Sequence, residues 1–467
     1  MRERRRALGQ YFTPDDAAAF VLRAAAAALG RAPRGLLDPA CGDGAFLRCA
    51  LELGIASPRR IFGIEIDPSA ARAVRPARVR ARVSVGDALA EALPLPASSR
   101  SRGFDLVVGN PPFAGGRGAG RLEVRFARRF VELTARGGAG GVILPHGVFA
   151  NASAQRLRDE VLRVAHPLAV VELPPGLFRA TGAAARTFAL VYRKRPPAKS
   201  ATCLVIPWPG GCDACDHFAR VLSKLRSGVP EGGSRVAVRR LVGARWDPGY
   251  WCNDAERVLA NAGVPLASLG DFVEHITYGP IVTGERRRDD DGGEVTVVGL
   301  RELRATGLDL RSARRVAAGS VHDPVRCRLQ RGDLLLARSG VGSLMKGRAA
   351  VWRGAGPATV GCFVDLVRLG GIDPGYVLLC LRSTIVREQV KRLANGVGTP
   401  NLSFGEVKSL LIPRLGAGTE RRIAREAVRA SRRHAAALRS GREPVEAARA
   451  LESAARLIDN RSLGGAS

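Results

Sequence analysis

Seven short apolar runs, separated by turns and Ala- and Leu-rich stretches, fill the first ~190 residues, and this alternation constrains the fold more than any other feature. In order they are RGLLDPA, RIFGIEID, ARVSVGDAL, GFDLVVGNPPF, AGGVILPHGVF, LAVVELP and RTFALVYRK. Helical segments lie between and before them. Thr13-Pro14 opens a helix over Asp15–Leu29, with Thr as cap and Pro in the first turn. GAFLRCALELG, PSAARAV and the amphipathic RLEVRFARRFVELTARGG supply further helices. Strands alternating with helices read as an α/β fold.

The strand ends carry the chemistry. LLDPACGDGAFL closes a strand on Asp38, then turns through Gly42 and Gly44 into a helix, so backbone can approach a ligand closely at a helix N-terminus. A dinucleotide-binding loop needs a third small residue for helix–strand packing, whereas this loop has Leu47 there. Asp38 would also face a pyrophosphate, and it suits a cationic amino-acid group better. Glu65 ends the second strand and can bind a ribose diol; Asp87 follows the third and can accept from an adenine amino group. A strand-end Asp taken singly is as readily a helix cap. Three carboxylates at successive strand ends converge on the crevice where open α/β sheets bind ligands.

Length and charge set the surroundings. The chain has 467 residues, 46% of them hydrophobic, enough for two or three domains with cores. No run of 18 or more apolar residues is present, so no membrane span or membrane partner is expected. MRERRRALGQ lacks the apolar segment of a secretory signal, so a cytoplasmic, nucleoid-associated protein is expected. A net charge of +30 suggests a polyanionic partner. Arg greatly outnumbers Lys, as GC-rich coding produces, yet coding bias need not create an excess of basic over acidic residues. Nine cysteines without a paired pattern argue against a disulfide framework. Cys203, Cys212, Cys215 and His217 contain one Cys-x-x-Cys but not a full zinc ligand pattern, and no metal is expected.

The ordered set QYFTP, DPACGDG, GIEIDP, GDAL and NPPF resembles the gamma-class amino-methyltransferases that modify adenine in DNA, over roughly residues 8–195. That resemblance implies a Rossmann-like seven-stranded sheet binding S-adenosylmethionine. It places Thr13 over the methionine end, gives Asp38, Ala40 and the Gly42–Gly44 loop to the amino-acid part, and assigns Glu65 to the ribose hydroxyls and Asp87 to the adenine. It also explains why GFDLVVG runs into Asn110, Pro111, Pro112 and Phe113. An adenine amino group is a poor nucleophile because its lone pair is delocalised. If the Asn110 side-chain oxygen and the Pro111 carbonyl accept its hydrogens, the nitrogen is drawn toward tetrahedral geometry. Proline fixes the carbonyl direction, so the acceptors are preorganised. Phe113 offers a face for a flipped base, and LPPGLFRATGAAARTFALVYRK nominates Phe178 as a second wall.

Beyond this region RPPAKSATCLVIPWPGGCDACDH is rich in Pro and Gly and reads as a boundary. The expected organisation is a methyltransferase domain over 1–197, an irregular linker over 198–239, an α+β domain over 240–415 and a helical segment over 416–467. RWDPGYW, GDLLLARSGVGSLMKGRAAVW and GTPNLSFGEVKSLLIPRL resemble, as an ordered set, the target-recognition domain of type I restriction specificity subunits. Arg338, Lys346, Arg348 and Lys391 are candidate contacts to DNA phosphates or bases. GYVLLCLRSTIVREQVKRL reads as one helix within that domain. The expected function is site-specific methylation of adenine N6 in duplex DNA, as the modification half of a restriction system. A restriction endonuclease or a second subunit is a candidate partner. The alternatives are N4-cytosine methylation, methylation of RNA or of a protein glutamine, and a DNA-binding specificity subunit active only with a partner.

Overall fold

The computed structural model describes residues 13–74, 81–95, 103–113, 122–178, 186–225, 228–282, 292–338, 344–393 and 402–464. Gln10 to Phe12 of QYFTP, 179–185, 339–343 and 398–401 lie outside the described residues. The chain divides into two units, Met1–Cys252 and Asn253–Ser467.

In the first unit, helix α1 (Asp15–Leu29) precedes β1 (Leu36–Asp38), α2 (Ala45–Glu52), β2 (Ile61–Glu65), α3 (Pro68–Val74) and β3 (Arg82–Val85). Strand β4 (Phe104–Gly109) follows, then α4 (Leu122–Leu133), β5 (Thr134–Pro145), α5 (His146–Ala150), α6 (Gln155–Val164), β6 (His166–Glu172) and β7 (Thr187–Arg193). These seven strands lie in the order β3-β2-β1-β4-β5-β7-β6, parallel except for β7, which runs antiparallel to both neighbours. The Rossmann-like α/β sheet expected from the sequence is therefore present. The central strands β1, β2 and β4 are buried at every position because both faces of the sheet are covered, whereas the edge strand β3 exposes Arg82 and Val85. Successive residues point to opposite sides: Leu36, Leu106 and Val108 join the cluster built on α1 and α2, while Leu37 and Val107 join the one built on α4 and α6.

Two expectations about this unit are corrected. Residues 198–239 are not an irregular linker: they form β8 (Thr202–Ile206), α7 (Ala214–Lys224) and β9 (Ser234–Ala237), extending the sheet to nine strands. Strand β8 pairs parallel with β6, Ala169 opposite Leu204, and its Cys203, Leu204, Val205 and Ile206 are buried. The Pro and Gly residues that suggested a boundary bracket a buried strand. RWDPGYW, expected in the recognition domain, belongs to the first unit. Trp246 is buried, its backbone N–H donates to the Phe149 carbonyl (2.9 Å) and its indole N–H to the Leu241 carbonyl (3.1 Å). Arg245 grips Asp247 through Nε and Nη2 at 2.8 and 2.9 Å, and Asp247 lies 3.8 Å from His146. The last helix of the unit, α8 (Pro248–Trp251), grows from this anchor.

The second unit is α+β. It begins with α9 (Ala255–Ala260) and carries β10 (Leu266–Ser268), β11 (Val273–Tyr278), β12 (Val295–Val298), β13 (Leu303–Arg304), β14 (Gly307–Leu308) and β15 (Arg315–Val316). Strands β16 (Leu334–Ala337), β17 (Ala349–Val351), β18 (Ala358–Val360) and β19 (Val364–Leu369) complete its main sheets, ordered β11-β19-β16-β17 and β15-β12-β18. The single helix expected from GYVLLCLRSTIVREQVKRL is two, α10 (Pro374–Cys380) and α11 (Thr384–Leu393). The break is stabilised from outside: Asp459 accepts from the Thr384 backbone N–H (2.8 Å) and hydroxyl (2.9 Å). The chain then runs through α12 (Phe404–Ser409) and β20 (Leu411–Pro413) into α13 (Ala417–Arg439) and α14 (Val445–Ser462), the helical C-terminal segment expected from the sequence. Ile423, Ala424, Ala427 and Ala430 of α13 share one buried cluster with Tyr376, Leu451 and Ile458. No helix among the described residues is long and apolar enough to cross a membrane.

Candidate active site

A cavity of about 200 Å³ opens at the C-terminal ends of β1 to β4, where the strand order reverses between β1 and β4. Ala40, Gly42, Glu65, Asp87, Asn110 and Pro112 line it, so residues from four separated sequence motifs meet there. Each is delivered by the turn that ends its strand.

Asp38 ends β1 and is almost wholly buried. Its Oδ1 accepts from the Ala40 N–H at 3.0 Å, and no cation among the described residues pairs with it. Burial pushes its carboxyl up to about 8; the Ala40 hydrogen bond works against this, and the negative fields of Glu65 and Asp43 add to it. Its neighbour across the sheet must lack a side chain: a Cβ at Gly109 would lie 2.6 Å from Asp38 Oδ1. The loop after β1 then turns through Gly42 (φ 53°) and Gly44 (φ 83°), both left-handed, and Gly44 caps α2. The Gly42 N–H donates to Glu65 Oε2 at 2.8 Å, and Asp67 N–H donates to Glu65 Oε1 at 2.9 Å. Glu65 thus ties the ends of β1 and β2 together, and burial raises its pKa. Asp87 is exposed at the cavity rim, with Oδ1 accepting from the Leu89 N–H at 2.8 Å.

Asn110 stands where β4 ends. Its side-chain amide N–H donates to the Thr13 hydroxyl at 3.1 Å. The carboxamide oxygen is left buried with no hydrogen-bond partner. A buried acceptor in this state costs roughly 1–3 kcal/mol and normally marks a place where something else donates. Thr13 was expected to cap α1; instead Pro14 precedes the helix and no side chain caps it. The hydroxyl is used 97 residues away in sequence.

Residues 2–209 match the N-6 DNA Methylase family. Over 230 residues the chain is 26% identical to the Escherichia coli type I restriction enzyme EcoEI methylase subunit, covering 44% of this chain and 46% of that protein. The chain thus spans about half the length of the curated relative it matches. Among solved structures, the type IIL restriction-modification enzyme MmeI in complex with DNA aligns with a TM-score of 0.51 at 11% identity. That alignment covers 96% of this chain and 71% of the other, and the likeness is one of fold. A type I restriction-modification methyltransferase subunit from Streptococcus thermophilus aligns at 17% identity and a TM-score of 0.40, over 50% of this chain and 58% of that one.

Within the methylase-matching region, two aromatic residues lie differently from expectation. Phe113 and Phe178 are both buried, and neither lines the cavity. Phe178 belongs to the core cluster on the α1 side. The wall facing Asp87 and Pro112 comes instead from α4, through Leu122, Arg125 and Phe126, together with Ile66 and Leu89. Sequence reasoning missed these residues. The available signal for Ile66 was its place directly after the strand-ending Glu65.

The other sequence candidates divide. Cys203 is buried inside β8, and His217 is held by the Glu172 carbonyl; no three His, Cys, Asp or Glu side chains among the described residues converge as a metal site. In the second unit, Arg338, Lys346 and Arg348 all lie in the connection between β16 and β17, at one end of the hairpin. The Arg338 guanidinium sits 3.6 Å from the Tyr278 ring centre and 5.6 Å from that of Phe404, with Asp365 3.9 Å away. Burial pushes Asp365 up to about 7, against the pull of Arg338. Lys391 is elsewhere, on α11, and pairs with Glu388 at 2.5 Å.

Proposed function

We propose that this chain is an S-adenosylmethionine-dependent DNA methyltransferase acting on adenine N6, the modification component of a restriction-modification system. The observation that carries the proposal is the Asn110 carboxamide oxygen, buried and without a partner beside the carboxylates of the cavity. The family match over 2–209 supports it.

The residues suit the cofactor. Asp38 is a buried carboxyl without a counter-ion, the environment that a ligand ammonium would relieve. The Glu65 carboxylate, held by the Gly42 and Asp67 N–H groups at the cavity wall, is an acceptor of the kind a ribose diol needs. Asp87 stands at the rim with Ile66 and Leu89, an acceptor beside apolar surface suited to an adenine ring. Bound there, S-adenosylmethionine supplies an electrophilic sulfonium methyl.

The chain's own part is to hold and activate the acceptor nitrogen. Asn110 Oδ1 accepts one amino hydrogen and the Pro111 carbonyl the other, so the nitrogen lone pair is freed from the ring. The Thr13 hydroxyl accepts from the carboxamide NH2, which leaves Oδ1 without an internal donor. Such preorganised acceptors need no reorganisation during reaction, and removing one costs ~10²–10³ in rate at comparable sites. The base must leave the duplex to reach them, and Phe113 and Phe178 would have to move or open to stack on it. The second unit, with Arg338, Lys346, Arg348 and Lys391, is assigned to reading duplex DNA. The name of the curated relative, a methylase subunit of a type I restriction enzyme, favours a partner subunit or cognate nuclease.

The test is direct. Purified protein is incubated with unmethylated genomic DNA and S-adenosylmethionine, and the digested nucleosides are quantified by mass spectrometry. N6-methyladenine is the expected product. N4-methylcytosine would overturn the base assignment, and no methylated base at all, despite DNA binding, would point to a subunit inactive without its partner.

A further inference from the structure

Helix α13 carries a feature that the methylation chemistry does not use. Arg421, Arg422, Arg425, Arg429, Arg432, Arg433 and Arg439 are all exposed. At ~100° per residue they fall within one arc of about 120° on the helix. The ridge they form runs about 27 Å, from an 18-residue separation at ~1.5 Å rise. The opposite side is the packing face, where Glu420, Ile423, Ala424, Ala427, Ala430 and His434 are buried.

An ordinary solvated helix face mixes charge signs so that neighbours one turn apart attract. Here Arg421 and Arg425, Arg425 and Arg429, and Arg429 and Arg433 are four residues apart, so each pair repels. Among the described residues, Arg429 alone in the ridge has a carboxylate partner, Glu426 at 2.6 Å. Coding bias does not account for this. The whole chain has 73 basic residues against 43 acidic, and α14 alternates Arg449, Arg456 and Arg461 with Glu446, Glu452 and Asp459. Helix α13 carries seven arginines against Glu420 and Glu426, and all seven lie on one side, where they weaken the helix in isolation.

We infer that the arginine ridge of α13 is a docking surface for the phosphate backbone of duplex DNA, separate from the hairpin end that carries Arg338. The duplex rises ~3.4 Å along its axis per base pair, so the ridge matches the axial length of about eight base pairs. Guanidinium forks match phosphate oxygens pairwise, and the ridge contains no lysine. A row of guanidinium groups on phosphates adds affinity and register without sequence information, so the ridge needs no base contact. The inference rests on DNA being the substrate.

The experiment measures binding, not methylation. Full-length protein and two variants of equal charge change, Arg425→Gln/Arg432→Gln and Arg59→Gln/Arg60→Gln, are titrated with a fluorescent duplex of about three helical turns. The salt range is about 50 to 200 mM KCl. Arg59 and Arg60 are exposed at the N-terminal end of β2, away from the cavity, and serve as the control. Circular dichroism checks that each variant keeps its helix content. Loss of two phosphate contacts should make the slope of log affinity against log salt shallower by ~1.8, about 60-fold weaker binding at ~100 mM, in the α13 variant alone. An unchanged slope, or equal changes in both variants, overturns the ridge assignment while leaving DNA as substrate. Wild-type protein without salt-dependent duplex binding would overturn the functional reading itself.

Discussion

Replacing Asp38 with asparagine should stabilise the ligand-free chain at pH 8 while destroying its affinity for S-adenosylmethionine. The carboxyl is moved from 3.8 to about 8, with burial the main cause. Because the folded-state pKa lies above the unfolded one, the native chain holds a proton that the unfolded chain has released between pH ~4 and ~8. Stability from this group is therefore full below pH ~4 and is lost as pH rises to ~8. Each pKa unit corresponds to ~1.4 kcal/mol, so the whole shift sets a ceiling of ~6 kcal/mol at pH 8. Asparagine can still accept from the Ala40 N–H, but it buries an NH2, and an unmet buried donor costs ~1–3 kcal/mol. The net gain expected at pH 8 is about 3–5 kcal/mol, shrinking to zero or reversing near pH 5. Glu65 also shifts upward, and its coupling to Asp38 is smaller than the burial effect, so the burial of Asp38 dominates the comparison. Urea unfolding of wild type and Asp38→Asn between pH 5 and 8 measures the difference, which should change by up to ~1.4 kcal/mol per pH unit. Parallel stability curves would refute the idea that Asp38 is a buried carboxyl awaiting a cation. Calorimetry with S-adenosylmethionine supplies the second reading: undiminished affinity in the variant would remove Asp38 from the cradle.

Asn110→Ala should lower turnover by ~10²–10³ with little change in duplex affinity, read by single-turnover methylation beside anisotropy; retained turnover would exclude the carboxamide as an acceptor. At Gly140, a methyl group would overlap the Tyr192 ring, whose hydroxyl is already bonded to Thr134. Gly140→Ala should therefore cost ~1–3 kcal/mol in denaturant unfolding, and a neutral result would mean that the ring can shift. A fragment ending at Cys252 should unfold cooperatively and bind S-adenosylmethionine without site specificity, whereas one ending at residue 200 should aggregate because it exposes the β6 edge that β8 covers. If the shorter fragment were monomeric and equally stable, the nine-strand sheet would not be the folding unit.

The local features of the site were legible in the sequence because they depend on neighbours only a few residues away. An acidic residue ending an apolar run, a glycine turn into a helix and an Asn-Pro-Pro elbow are set by backbone sterics and strand burial. The amino-acid order alone therefore puts Asp38, Gly42, Glu65, Asp87 and Asn110 at strand ends. The parallel α/β arrangement followed from the alternation of the same runs. What only the tertiary structure decided depends on partners far apart in sequence. Thr13 looked like a helix cap, since its neighbours favour that use, yet its hydroxyl is taken by Asn110. CLVI looked like part of a linker because Pro and Gly flank it, yet the open edge of β6 makes it a strand. RWDPGYW resembled part of a recognition domain, but Trp246 is buried against the first unit, with its N–H groups bonded to Phe149 and Leu241. The break between α10 and α11 is set by Asp459, 75 residues beyond Thr384. In each case local propensity left more than one backbone state open at small cost. The choice fell to whichever distant group could satisfy a buried donor, acceptor or apolar edge.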